Sequence, residues 1–403
     1  MLLIMAVLFS SLAHAQTLED PPQASLLTFA PGDIYWQRFA HNAILLRAAD
    51  GRTAVFNYGI FDFRQKNFFL NFARGAMLYR LDVEPLDRTL RQYAEEGRWV
   101  YEQQLALSLD QRRELTTYLV ENMRPENVEY RYDYFANNCS TRVRDALNQV
   151  LGGALQTQLE SQPTTVTYRS EVMRLMAPEP ALMIGMDLGL GPSVDRPLNV
   201  WQQSFLPLTL MQAVRGLRVD DAAGGSHPLV SSEGYLSRPD TAPASVNAEP
   251  LLLPFAIAGL ALAALLLLLR ALRRFATARL LFALLTTAIC VVGGLAGLVL
   301  AAAWAFTAHW GMWANQNLLL LDPLLLLLIP VWVGAARGGW YPGTFARRLM
   351  QLVTVLAAST LILKLLPIAQ QDNLAWIALM LPSLLVMSGL LRAAHVSPPI
   401  WSH

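Results

Sequence analysis

The chain has 403 residues, 54% hydrophobic and only 15% charged, with a formal net charge of +1. A soluble domain carries roughly 25% charged residues, so this composition argues against a single soluble globule, and the apolar content excludes disorder. The near-neutral total hides two unlike halves. Residues 250–403 hold nine basic and two acidic side chains, a surplus of seven, which leaves residues 1–249 with a net charge of −6.

In chain order, residues 1–15 (MLLIMAVLFSSLAHA) form an apolar run ending in an A-x-A cleavage signature, the pattern of a signal peptide. The basic n-region is missing, so an uncleaved anchor is the alternative; in both readings the following segment is exported. Residues 16–216 then form one exported domain, and residues 217–249, rich in Gly, Ser, Pro and Asp, form a linker. Residues 250–403 form the membrane domain.

Within the exported domain, 42–48 and 53–58 flank Asp50-Gly51, a hairpin signal. His41 opens the first strand. Residues 86–96 and 109–123 read as amphipathic helices, the second with Ser108 and Gln111 at capping-box spacing. The clearest helix begins at Asn138-Cys139. Val143, Ala146, Leu147, Val150 and Leu151 give it one apolar face, Asn138 is its N-cap, and Gly152-Gly153 stops it. Hairpins followed by helices predict an α+β domain.

Five apolar stretches follow, at 251–269, 280–306, 318–336, 349–368 and 374–391. Each approaches the ~20 residues a helix needs to cross a bilayer core. Arg270, Arg273, Arg274 and Arg279 lie between the first two, Arg337, Arg347 and Arg348 between the third and fourth, and Arg392 follows the fifth. The positive-inside rule makes those loops cytoplasmic and the exported domain extracytoplasmic, in agreement with the N-terminal signal.

Of the two cysteines, Cys290 falls inside the second span, where a thiol is a small hydrophobe. Cys139 is then an unpaired thiol in an exported domain, where free thiols tend to oxidise. In the first turn of a helix, with Arg142 and Arg144 nearby, its pKa is expected to fall. A thiolate needs a base, and His41 is preferred over His227, which lies in the expected linker. The alternative is a structural thiol and a core imidazole. The group orienting His41 depends on hairpin register: a two-residue turn at Asp50-Gly51 puts Tyr58 on its face, and a one-residue shift puts Asn57 there. No cluster has metal-ligand spacing, no Gly-rich phosphate loop is present, and the negative exported domain argues against nucleic acid.

The ordered set His41-Asn42-Ala43, Phe56-Asn57-Tyr58-Gly59-Ile60-Phe61, Asn71-Phe72-Ala73-Arg74-Gly75 and Tyr132-Asp133-Tyr134-Phe135-Ala136-Asn137-Asn138-Cys139-Ser140-Thr141-Arg142 resembles the Lnb family of lipoprotein N-acyltransferases. The resemblance continues through Thr167-Tyr168-Arg169, Leu188-Gly189-Leu190-Gly191 with Asp195, His309, Asn315-Gln316-Asn317 and Asp322-Pro323. It implies a permuted papain-like (NlpC-type) periplasmic domain followed by an all-α transmembrane bundle of five helices in the bacterial inner membrane. It also implies a Cys139 thioester and no cofactor. The acyl donor would be a glycerophospholipid or the lipoprotein's own diacylglyceryl group, and the acceptor the α-amine of a diacylated lipoprotein. The Cys139 amide and Asn138 would meet the oxyanion.

Polar groups at the outer membrane layer are functional candidates. Asp322 and Lys364 would form an ion pair, or Lys364 would snorkel. His309, Asn315 and Asn317 would contact substrate. Arg169 and Asp195 would shape the lipid site, or form a surface salt bridge. The rival readings are a membrane-anchored peptidoglycan amidase or peptidase of NlpC type, which leaves five spans unexplained, and a non-enzymatic membrane sensor or scaffold.

Overall fold

The computed structural model describes residues 20–62, 64–220, 224–238, 248–367 and 370–396; the expected signal peptide lies outside them. The chain divides into two compact units. The first comprises residues 1–66, 77–164 and 198–244, and the second residues 67–76, 165–197 and 245–403. The domain expected at 16–216 therefore contributes to both units.

The strands are β1 Gln23–Phe29, β2 His41–Arg47, β3 Thr53–Ile60, β4 Leu78–Glu84, β5 Val100–Leu105, β6 Glu129–Arg131, β7 Arg218–Asp220, β8 Ser226–Pro228 and β9 Val230–Ser237. The first helices are α1 Phe68–Arg74, α2 Leu86–Glu95, α3 Leu109–Asn122, α4 Cys139–Val150 and α5 Ala154–Glu160. Then come α6 Tyr168–Met176, α7 Pro180–Gly189, α8 Val200–Gln203 and α9 Pro207–Gly216. The C-terminal part adds α10 Leu252–Ala271, α11 Ala276–Phe306, α12 Ile329–Gly334, α13 Thr344–Leu363 and α14 Leu374–Val396.

In the first unit an antiparallel sheet of order β6-β4-β3-β2-β1-β5-β9 is covered on both faces. Leu26, Ile44, Leu46, Phe56 and Tyr58 face one core with Leu115 and Leu119 of α3, Val143, Ala146 and Leu147 of α4, and Leu210 of α9. Leu27, Phe29, Ala43, Leu45 and Val55 face the other, under Leu86 and Tyr93 of α2. A strand buried on both faces reads as a nearly continuous apolar run rather than an alternation, and β1 has six consecutive buried residues. The capping box of α3 forms as its sequence indicates, and Asn138 caps α4 as expected, with Thr141 completing a box there that was not expected from the sequence. Part of the expected linker is strand instead: β9 pairs along β5 and extends the main sheet. Its Ser and Gly residues read as loop, yet an edge strand with one exposed side tolerates them.

Among the described residues the second unit has five segments long and apolar enough to cross a membrane: Leu252–Ala271, Ala276–Phe306, Gln316–Gly334, Thr344–Leu363 and Leu374–Arg392. Thr286, Thr354 and Thr360 satisfy their hydroxyls on carbonyls of their own helices, as an apolar medium requires. The third segment departs from the expected α-helix. Gln316–Leu319 and Pro323–Leu328 are 3-10 turns, and only Ile329–Gly334 is α-helical. Pro323 and Pro330 lack the N–H groups that an α-helical ladder needs. Gly293, Gly294 and Gly297 of α11 let this segment approach closely; a Cβ on Gly297 would overlap the Leu321 carbonyl. Small residues serve this purpose in membrane helix packing. Gly259 of α10 does the same against the Ala378 and Leu379 backbone of α14.

Candidate active site

The β2–β3 hairpin settles the register. Arg47 pairs with Thr53 and Ile44 with Phe56, while Ala48 N donates to Arg52 O and Gly51 N to Ala48 O. The loop therefore has three residues, and Gly51 takes the left-handed conformation at φ 85°, which glycine adopts without strain. The extra residue shifts the pairing by one. Asn57 falls on the face of His41, and Tyr58 turns into the opposite core, where it is 1% exposed. His41 Nε2 lies 3.3 Å from Asn57 Oδ1. That oxygen only accepts, so Nε2 carries the hydrogen and Nδ1 keeps its lone pair.

The β2–β3 ladder ends at Ile44–Phe56, and β3 is irregular against β4 between Asn57 and Ile60. The start of α4 packs where the strands separate. The Asn42 backbone N–H bonds the Cys139 sulfur. Gly59, at φ +90°, faces Cys139 so closely that an added Cβ would lie 3.3 Å from the cysteine Cβ. Asn42, fully buried, points away from His41 along the strand. Its Nδ2 donates to Leu27 O and Thr28 Oγ1, and its Oδ1 accepts from Ser140 Oγ at 3.0 Å. Ser140 also donates to Ser204 O. Asn42 and Ser140 thus fasten the helix start to the sheet. In the sequence they stand out only as neighbours of His41 and Cys139.

Asn138 Oδ1 accepts from Ser140 N and Thr141 N, and its Nδ2 donates to Tyr134 O and Phe205 O. With both amide hydrogens engaged, the side chain serves as the helix cap.

The electrostatics differ from expectation. Burial pushes the Cys139 thiol up to about 11, offset only in part by N–H groups of Asn42, Ser140 and Cys139. The helix terminus is present, but desolvation outweighs it. The two arginines are engaged elsewhere. Arg142 bonds Asn137 Oδ1 and stacks on Tyr130, and Arg144 bonds Asp145 and stacks on Trp201. Burial also lowers His41 to about 4, against the raising effect of the Asn57 bond and with a smaller lowering from the Arg98 charge. At neutral pH the groups are a thiol and a neutral imidazole rather than an ion pair.

The remaining candidates belong to the second unit. Arg169, 3% exposed, donates to both Asp195 carboxylate oxygens, to Asp187 Oδ1 and to the Asp187 and Leu190 carbonyls. The two aspartates hold the guanidinium pKa above its usual value against desolvation, and burial lifts that of Asp195. Asp187 Oδ2 accepts from Trp376 Nε1, and Asp195 Oδ2 from Asp372 N. Asn315 Nδ2 donates to the carbonyls of Leu188, Gly189 and Leu190, and Asn317 Nδ2 to that of Leu188. Gln371 bonds Asn315 Oδ1, and Asn373 bonds Asn317 Oδ1. His309 Nε2 meets Phe72 O.

These side chains hold α6 and α7 to the segments preceding the third and fifth spans. The Arg169–Asp195 bridge is buried, not on the surface. Asp322 and Lys364 form no ion pair: Asp322 Oδ1 caps Leu324 N, and Lys364 Nζ donates to Gln371 O. Among the described residues no His, Cys, Asp or Glu cluster could hold a metal.

The family model of the Lnb N-terminal periplasmic domain matches residues 14–173, and that of the Lnb transmembrane domain matches residues 246–395. No curated protein and no solved structure matches the chain.

Proposed function

The chain belongs to the Lnb family, and on that premise we propose that it is a lipoprotein N-acyltransferase of the bacterial inner membrane with a permuted papain-like catalytic domain. The observation that carries the reading is the convergence, in a domain of this family, of Cys139 at a helix start with the β2–β3 edge that bears the His41–Asn57 bond.

With thiol and imidazole both neutral, proton transfer accompanies attack. As Cys139 Sγ bonds an ester carbonyl carbon, its proton passes to His41 Nδ1. Backbone N–H groups at the α4 start meet the oxyanion. The tetrahedral species expels the alkoxide of the glyceryl group, which takes the proton from His41, leaving a thioester on Cys139. The α-amine of the lipoprotein's N-terminal cysteine attacks next. His41 accepts an amine proton, the C–S bond breaks, and the sulfur recovers its proton. An amide and free enzyme result. Asn57 holds the imidazole with its lone pair toward the reaction, as a triad's third member does. The donor ester belongs to a glycerophospholipid or to the lipoprotein's own diacylglyceryl group.

The test is mass spectrometry of a reporter lipoprotein's N-terminus. Cells with the intact chain yield an N-acylated cysteine, and those with Cys139→Ala a free amine. N-acylation undiminished by the substitution contradicts the proposal. Muropeptide cleavage lost without change at the lipoprotein N-terminus favours an NlpC-type amidase.

A further inference from the structure

The first unit carries an aromatic surface that the proposed chemistry does not use. Tyr35 and Trp36 lie on a turn closed by Gln37 N and Arg38 N to Ile34 O. Their rings meet edge to face at 4.7 Å between centroids. Trp36 then meets Phe61 at 6.5 Å, Phe61 meets Tyr79 at 5.3 Å, and Tyr79 stacks on Tyr132 at 4.0 Å. Tyr132 meets Tyr134 edge-on at 5.7 Å. The chain of rings is continuous across four separate stretches of sequence. Its outer members stay open to solvent: Tyr35 is 42%, Trp36 44% and Tyr134 46% exposed. Contiguous exposed apolar surface usually marks a binding site.

The rings lead to Cys139. The Tyr134 carbonyl accepts from Asn138, the cap immediately before the cysteine. Tyr79, Tyr132 and Cys139 pack against the same core cluster. Tyr79 and Tyr132 both feel the charge that a Cys139 thiolate would carry, in addition to the burial that raises them.

We propose that the ring path from Tyr35 and Trp36 to Tyr79, Tyr132 and Tyr134 binds the long saturated chain of the acyl group that Cys139 takes up. The inference rests on the acyltransferase reading. Aromatic faces present broad apolar area with little conformational entropy to lose, which suits a flexible hydrocarbon. The Asp62–Arg64 ion pair that follows Phe61 is closed on itself. The path ends at Tyr132 and Tyr134, the latter bonded to the cap before Cys139, so a chain lying along it points its carbonyl end toward the sulfur.

The experiment uses the full chain in detergent with a synthetic diacylglyceryl peptide carrying two palmitoyl or two hexanoyl chains. The peptide is supplied alone or with a dipalmitoyl glycerophospholipid, and the acyl length on the product amine identifies the donor. Trp36→Ala and Tyr134→Ala are expected to lower kcat/KM for palmitoyl transfer about tenfold and hexanoyl transfer by less than about twofold, because each methylene left in water weakens only long-chain binding. Equal losses on both chain lengths, or none on either, overturn the inference.

If Cys139→Ala proves fully active, or the intact protein yields no amide from any donor, the acyltransferase reading has failed by itself. A diazirine-bearing palmitoyl phospholipid cross-linked to Cys139→Ala protein then decides the binding claim without turnover. Adducts on Tyr35, Trp36 or Tyr134 that free palmitate competes away sustain it, and adducts confined to the membrane spans overturn it.

Discussion

Residue-scale chemistry turns on two side chains that burial keeps uncharged. A His41 pKa near 4 rather than 6.5 means that the proposed base stays deprotonated through the mildly acidic range. The acid limb of kcat/KM is therefore expected well below pH 6, and a midpoint at 6.5 contradicts the assignment. The same shift makes stability depend on pH. Between about 4 and 6.5 the unfolded chain binds a proton that folded His41 refuses, so stability declines as pH falls through that window. Asn57→Ala removes the bond that raises His41. It is expected to lower kcat about tenfold through lost orientation and to move the acid limb lower still. A substitution that merely loosened the hairpin would expose the imidazole and move the limb the other way. Asn57 was legible as one of two options only, because alternation along β3 leaves the choice to a single loop residue. The raised Cys139 pKa was not legible: helix position can be read from Asn138 and the apolar spacing, whereas desolvation depends on tyrosines brought in by other strands.

At the scale of elements, glycine decides two close approaches. Gly59→Ala would require a side chain at φ +90° with its Cβ 3.3 Å from Cys139. It is expected to cost roughly 1–3 kcal/mol of stability and to impair the thiol more than the fold, read as lost thiol alkylation at unchanged secondary structure. In the second unit the Arg169 bridge is the element-scale fastening. Arg169→Ala leaves buried Asp187 and Asp195 without their cation, at an expected cost of about 3–5 kcal/mol, measurable as a lowered thermal midpoint in detergent. Arg169→Lys cannot replace a fork that bonds two carboxylates and three carbonyls, and is expected to recover little of it. The sequence suggested substrate contacts for Asn315 and Asn317 and a lipid-shaping role or a surface salt bridge for Arg169 and Asp195. Their partners are mostly backbone carbonyls of α7 and the turn after it, and such partners leave no pattern in a sequence.

On the scale of the whole molecule, the charge split reflects topology. Seven of the nine basic residues of the apolar part lie in the two loops assigned to the cytoplasm, which is what the positive-inside rule reads. In a Cys139→Ala, Cys290→Ala background, Gly338→Cys is expected to resist a membrane-impermeant maleimide in intact spheroplasts, while Arg124→Cys is labelled. The reverse pattern contradicts the topology. Span positions were legible because twenty apolar residues form a signal that needs no partner. The 3-10 geometry of the third span was not, since it depends on glycines of α11 more than twenty residues earlier. The strands after α9 were also missed, because β9 is specified by the β5 edge it joins rather than by its own composition.

The central claim is that Cys139 carries the acyl group between donor and amine. The most direct measurement is intact mass of the purified chain incubated with a diacyl lipid donor and no acceptor amine. The account predicts a single acyl adduct on Cys139 that hydroxylamine releases and that Cys139→Ala lacks. A Cys139→Ala protein that still N-acylates a lipopeptide at the unsubstituted rate, with no adduct at any stage, would contradict it.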